Sequence, residues 1–260
     1  MKKQRAVKGA NSASAERTLA EQTSFSPRFP HPITLAVDIG GSGMKVMALD
    51  AKGNPLTERL RTPTPDPATP ARMLAILDKM WEQMPACDRV SVGFPGVIKH
   101  GKTWTAANLN PRWIGFPLQA TLEKRWKLPV RMANDAAVQG YGAIEGKDVE
   151  MVITLGTGMG QALFTNGHLC PGLELGHHPW RKKTYEDYLG RRGLEKYGKK
   201  RWNRLLAKAI AQTAHTFNWD HLYIGGGNAR LIKFKLPDDV TIISNEDGLY
   251  GGVALWNYPD

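Results

Sequence analysis

The chain has 260 residues, 42% of them hydrophobic, enough for one large domain or two small ones with their own cores. Its 35 Lys and Arg against 24 Asp and Glu leave a formal charge of +11, which favours an anionic partner such as a phosphate polymer, nucleic acid or an acidic membrane surface. The two cysteines, Cys87 and Cys170, lack CxxC spacing, so neither a zinc cage nor a disulfide framework is indicated and a reducing cytoplasm is expected; no apolar run nears the roughly 20 residues of a membrane span, which predicts a soluble protein.

Residues 1–32 are rich in Lys, Arg, Ser and Ala and read as a disordered basic tail without the apolar stretch of a secretory signal. From Ile33 the pattern becomes strand, glycine turn, strand (ITLAVDIGGSGMKVMALD), with a third strand predicted over Leu56 to Arg61. Gly40, Gly41 and Gly43 let the backbone approach a ligand so that N–H groups face a phosphate; Asp38 at the strand end could hold Mg²⁺ through water. A plain hairpin with glycines for geometry is the alternative.

Thr69 as cap and Pro70 in the first turn open a helix with Met73, Ile76, Leu77, Met80 and Met84 on its buried face. Arg89 to Phe94 is a strand running into the close-approach turn Gly93-Phe94-Pro95-Gly96. Lys99 to Lys102 forms another turn. Asn108 follows beside small residues, where its amide can donate to and accept from a sugar hydroxyl, with Trp104 and Trp113 as apolar walls or simply as packing. Pro117 to Trp126 reads as a short helix and Leu128 to Met132 as a strand that delivers Asn134-Asp135. That pair, ahead of Ala136-Ala137, is by itself a helix cap; flanked by glycine loops, Asp135 is also placed to take a proton from a hydroxyl.

A second strand, glycine turn, strand unit, MVITLGTGMGQALFTNGHL, repeats the design of the first, with Thr157 offering a hydroxyl and Asn166-Gly167 a hairpin turn. The repetition suggests an internal duplication and two α/β domains facing a cleft. In Glu174-Leu175-Gly176-His177 a carboxylate and an imidazole can converge on one polar ligand. Arg181 to Arg204 holds ten basic and three acidic residues. It reads as a track for a polyanion, notably Arg191, Arg192, Lys199, Lys200 and Arg201, or as a solvated helix face. Lys200 to Phe217 is a long amphipathic helix, His221 to Ile224 a strand entering a third close-approach loop, Gly225-Gly226-Gly227-Asn228, Val240 to Ile243 a strand, and Gly248 to Trp256 a final helix packing on the first domain.

The strings DIGGSGMK, GFPG, AANL, ND, LGTGMG, ELGH and GGGN, in this order and spacing, resemble the ROK family of sugar kinases, and most of all its polyphosphate glucokinases. The resemblance implies an α/β protein of the actin-like ATPase (ribonuclease H-like) fold. Its expected parts are a small domain over residues 33–134, a large one over 135–247 and a C-terminal helix over 248–260. It implies that Asp135 is the general base on the sugar 6-hydroxyl and that Asn108, Asn134, Glu174, His177 and Glu195 bind the sugar beside Gly93, Pro95 and Gly96. Phosphate contacts are implied for Asp38, Gly40, Gly41, Ser42, Gly43 and Lys45 and for Gly156, Thr157 and Gly158, with nucleotide at Gly225, Gly226, Gly227 and Asn228.

The implied cofactor is Mg²⁺. The cysteine-rich zinc string of many members is replaced by LGRRGLEKYG, so no zinc is expected and the place of Glu195 depends on an alignment gap. The implied activity is phosphoryl transfer from inorganic polyphosphate, ATP, or both to glucose, with a strictly ATP-dependent glucose or mannose kinase as the alternative. A sugar-responsive repressor, which carries a winged helix for DNA, and a nucleic-acid binder fit less well. Neither nucleic acid nor membrane is an expected partner, and a homodimer is in keeping with many family members.

Overall fold

A computed structural model describes residues 31–106, 109–244 and 247–257; the predicted tail lies almost wholly outside the described residues, and Asn108 entirely so. The first half comprises β1 (Thr34–Ile39), β2 (Met44–Leu49), β3 (Leu60–Thr62), α1 (Pro70–Trp81), β4 (Arg89–Phe94), β5 (Ile98–Lys99), β6 (Lys102–Thr103), α2 (Leu118–Trp126), β7 (Val130–Asn134) and α3 (Asp135–Tyr141). Then follow β8 (Val149–Leu155), β9 (Met159–Thr165), β10 (His168–Leu169), β11 (Pro179–Trp180), β12 (Lys183–Thr184), α4 (Tyr185–Leu189), α5 (Arg191–Phe217), β13 (His221–Gly225), β14 (Val240–Ile242) and α6 (Asp247–Ala254). Among the described residues no helix is long and apolar enough to cross a membrane.

The strands form two five-stranded sheets, ordered β3-β2-β1-β4-β7 and β10-β9-β8-β13-β14. In each, the first three strands meander antiparallel and the last two add in parallel. The two halves thus share one topology, the architectural form of the repetition read from the two glycine hairpins. Strand β1 is apolar almost throughout because both of its faces are covered, as parallel-paired strands require. Leu35, Val37 and Ile39 pack with Met73, Leu77 and Met80 of α1, whereas Ala36 packs with Leu249 and Val253 of α6.

Between the sheets lies α3. Its face of Ala136, Ala137 and Val138 packs with Val152, Ala162 and Phe164 of the second sheet. The small residues are a steric necessity: a methyl group at Gly140 would come within 2.5 Å of the Phe164 ring. This close packing fixes the residue at the start of α3, Asp135, against both sheets.

Several boundaries differ from expectation. Strand β3 starts at Leu60 rather than Leu56, because the chain at Leu56 and Thr57 is tied to Ala48 through Leu56 N–H and the Thr57 hydroxyl. Thr69 precedes α1 with extended backbone but makes no side-chain cap bond, and Met84 lies beyond the helix end while still packing on the core. The expected helix from Lys200 is present; α5 also takes in a preceding helical stretch from Arg191, joined to it across Gly198, whose backbone is not helical (φ 70°, ψ 158°). The ribbon of β11 and β12 and the short helix α4, which a Thr184/Asp187 capping box opens, went unread because their strands are two residues long and α4 is five.

Candidate active site

Strand β7 ends at Asn134 and α3 begins at Asp135 with no intervening loop, so the junction itself presents both side chains. Asn134 Oδ1 accepts the Ala136 N–H at 2.9 Å, which is the capping bond. Its amide nitrogen donates to Gly96 O at 3.3 Å, tying the junction to the GFPG turn. Asp135 Oδ1 accepts from the same Ala136 N–H at 2.8 Å. Capping is thus Asn134's work, and the second Asp135 oxygen stays available to chemistry.

Gly160 lets β9 pass close to this junction: a Cβ there would lie 2.5 Å from the Thr154 hydroxyl and 3.1 Å from Ala136 Cβ. The first glycine loop closes on itself through Gly40 N–H to Gly43 O at 3.0 Å. The second closes through Gly156 N–H to Gly158 O at 3.0 Å and is held from outside by two further elements. Asn228 Nδ2 donates to Gly156 O at 3.0 Å, and Arg191 N–H, at the start of α5, donates to the same oxygen at 3.0 Å. The GGGN loop therefore braces the second glycine loop while lining the same cavity.

That cavity, of about 470 Å³, is lined by both glycine loops, Gly93, Pro95 and Gly96, Asn134 and Asp135, Glu174 and His177, and Gly226 to Asn228. Lys45 Nζ lies 2.6 Å from Asp38 Oδ2. Asp135 touches the cavity but is hemmed in by protein, and this burial, with the Asp38 and Glu174 carboxylates adding to it, pushes its pKa up to about 7; the Ala136 N–H and Lys45 act in the opposite sense. A carboxyl group whose pKa is raised toward neutrality, beside two glycine loops, has the electrostatics that proton abstraction requires. Burial also raises the Glu174 pKa, opposed by His177, whose Nε2 lies 3.7 Å from Glu174 Oε2. The backbone holds Glu174 in the left-handed region (φ 39°), and Gly176 passes so close to Met159 O that a Cβ there would sit 2.3 Å from it.

Some predicted residues stay outside. Glu195 is exposed on α5 and does not line the cavity, because that helix turns Gly193 and Leu194 toward the core. Of the basic stretch only Arg191 reaches the lining; Arg192, Lys199, Lys200 and Arg201 are exposed along α5. Gly225 is buried in β13 against the Gln139 amide.

Other lining residues escaped the sequence reading: Arg59, Arg61, Gln139, Gln161 and Glu186. Glu186 Oε2 accepts the Met159 N–H at 3.1 Å and so supports the second glycine loop. Gln161 is 8% exposed, and neither its amide nitrogen nor its oxygen has a hydrogen-bond partner. A polar residue in an otherwise apolar strand was the available signal for Gln161; Arg59 and Arg61, on either side of the core residue Leu60, were the signal at the start of β3.

Residues 34–197 match the model of the ROK family. Polyphosphate glucokinase of Mycobacterium tuberculosis is 31% identical over 236 residues, covering 83% of this chain and 88% of that protein. The crystal structure of an inorganic polyphosphate/ATP-glucomannokinase from Arthrobacter sp. strain KM aligns with a TM-score of 0.77 at 31% identity, over 86% of this chain and 97% of that one. A ROK family glucokinase from Streptomyces griseus, solved with glucose and AMPPNP, aligns with a TM-score of 0.73 at 21% identity, over 86% and 98%. The fold is the actin-like ATPase fold of these neighbours.

Proposed function

The chain belongs to the ROK family, and from that membership we propose that it transfers a phosphoryl group from inorganic polyphosphate, and also from ATP, to the 6-hydroxyl of glucose. The observation that carries the reading is the Asp135 carboxyl group, with a pKa of about 7, at the meeting point of both glycine loops.

In the reaction the sugar oxygen forms a bond to the terminal phosphorus as the bond from that phosphorus to the donor's bridging oxygen breaks. The products are glucose 6-phosphate and a donor one phosphate shorter. Asp135 receives the hydroxyl proton. Asn134, Glu174 and His177 orient the sugar, and the charge that shifts to the leaving oxygen meets the N–H groups of Gly41, Ser42 and Gly43 and of Thr157 and Gly158, those of Gly40 and Gly156 being spent on closing the loops. Positioning and preset dipoles supply most of the acceleration in such transfers.

Lys45 engages one oxygen of Asp38 and leaves the other open, a hard oxygen suited to Mg²⁺ directly or through water. When bound, Mg²⁺ supplies neutralisation of the phosphoryl oxygens.

A strictly ATP-dependent kinase is the second reading, favoured by Gly226, Gly227 and Asn228 on the cavity wall. One assay decides: purified protein, glucose and Mg²⁺ with either ATP or long-chain polyphosphate, followed as glucose 6-phosphate. Formation with polyphosphate is expected. Formation with ATP alone selects the second reading, and formation with neither refutes both.

A further inference from the structure

Three basic residues at the first sheet, Lys45, Arg59 and Arg61, line the cavity, against Arg191 alone from the basic face of α5. Strand register pairs Asp38 of β1 with Lys45 of β2, and Lys45 with Arg61 of β3. These three residues form one row across the sheet, stepping outward by about 5 Å per strand. Arg59 immediately precedes β3 and, like Arg61, lines the cavity, while Leu60 between them packs on the core. The Arg61 guanidinium rests against the first glycine loop, its Nε 3.2 Å from where a Gly43 Cβ would be. Lys45 is engaged by Asp38 at 2.6 Å, whereas no ion pair among the described residues engages Arg61. All three basic residues line the cavity.

We infer that Lys45, Arg61 and Arg59 form a basic row that holds the distal phosphates of an extended inorganic phosphate chain, which leaves the cavity across β2 and β3 rather than along α5. The inference rests on the polyphosphate reading above. A phosphate chain keeps about one negative charge per residue beyond the transferred group, so a row of cations leading away from the loops gains attraction with chain length. A nucleotide has no charge to offer there once its triphosphate ends. On α5 only Arg191 lines the cavity: the helix is broken at Gly198 beyond it, and the Arg201 guanidinium stacks 4.8 Å from the Tyr197 ring centre.

Binding of long-chain polyphosphate without sugar, measured by titration calorimetry at two salt concentrations, tests the row independently of turnover. The wild type is compared with Arg59→Ala/Arg61→Ala, with Arg59→Gln/Arg61→Gln as a second version that keeps side-chain bulk, and with Lys199→Ala/Lys200→Ala/Arg201→Ala. Both β3 variants are expected to raise Kd at least tenfold and to flatten its salt dependence, with the α5 variant within twofold of wild type. In turnover, the KM for polyphosphate should rise at least tenfold more than the KM for ATP. Unchanged Kd in the β3 variants, a larger loss in the α5 variant, equal losses with ATP and polyphosphate, or no polyphosphate binding by the wild type each overturn the row. Intact polyphosphate binding with no glucose phosphorylation from any donor would instead refute the kinase reading and leave the row standing.

Discussion

Replacing Asp135 by Asn tests the centre of the site through two independent readouts. The amide keeps an oxygen that can accept the Ala136 N–H bond of 2.8 Å, so local geometry is preserved while the proton acceptor is lost. Loss of a positioned general base costs about 10²–10⁴ in rate, equivalent to about 3–5 kcal/mol in the barrier. The sugar contacts remain, so kcat should fall by that factor while the glucose KM stays within a few-fold.

The second readout is stability. Burial raises the Asp135 pKa from 3.8 to about 7, so between these values the folded protein binds a proton that the unfolded chain has released. Stability therefore declines as pH rises through this window and stays lowered above it. About three pKa units correspond to about 4 kcal/mol, which opening onto the cavity water reduces to roughly 1–3 kcal/mol. Asn has no such ionisation. The variant should thus melt several degrees above wild type at pH 8 and with no such gain at pH 4. Coupled glucose 6-phosphate kinetics and calorimetric melting at both pH values supply the measurements. Retention of more than a tenth of kcat, or a lower melting temperature than wild type at pH 8, would refute the reasoning.

Lys45→Met removes a charge that lowers the Asp135 pKa, so the acid limb of kcat/KM, near pH 7 in the wild type, should move to higher pH; a limb that stays or moves acidward contradicts the electrostatic account. Gln161→Leu replaces a buried amide that has no partner, and should raise the stability of the sugar-free protein by about 1–2 kcal/mol, read by thermal melting; a lower melting temperature contradicts the desolvation argument. Gly226→Ala places a Cβ 2.4 Å from the Leu155 backbone at φ 84° and should cost more than about 2 kcal/mol, seen as a melting temperature lower by several degrees.

The strand, glycine turn, strand units were legible because their signals are local: apolar runs bounded by residues that tolerate tight turns. The same holds for β4, which matches its expected span of Arg89–Phe94, and for the Asn166-Gly167 turn, where both residues take positive φ (49° and 77°). Where boundaries slipped, a distant contact decided. The chain before β3 is tied back to Ala48, and the helical stretch before the break at Gly198 starts at Arg191, whose N–H is bound by the second glycine loop. Glu186 gave no sequence signal, since its place on the cavity comes from the capping box that starts α4 and from an N–H donated by Met159, 27 residues away in sequence.

The sequence by itself determined the repeated hairpin pattern and the strand-to-helix junction at Asn134-Asp135, since backbone preference and apolar periodicity act over a few neighbours. Tertiary structure alone decided that α3 packs between two sheets of equal topology, that Glu186 lines the cavity while Glu195 does not, and that the Asp135 carboxyl group is held near neutrality. Desolvation and charge proximity depend on atoms brought together from opposite ends of the chain, and no short stretch of residues carries that information.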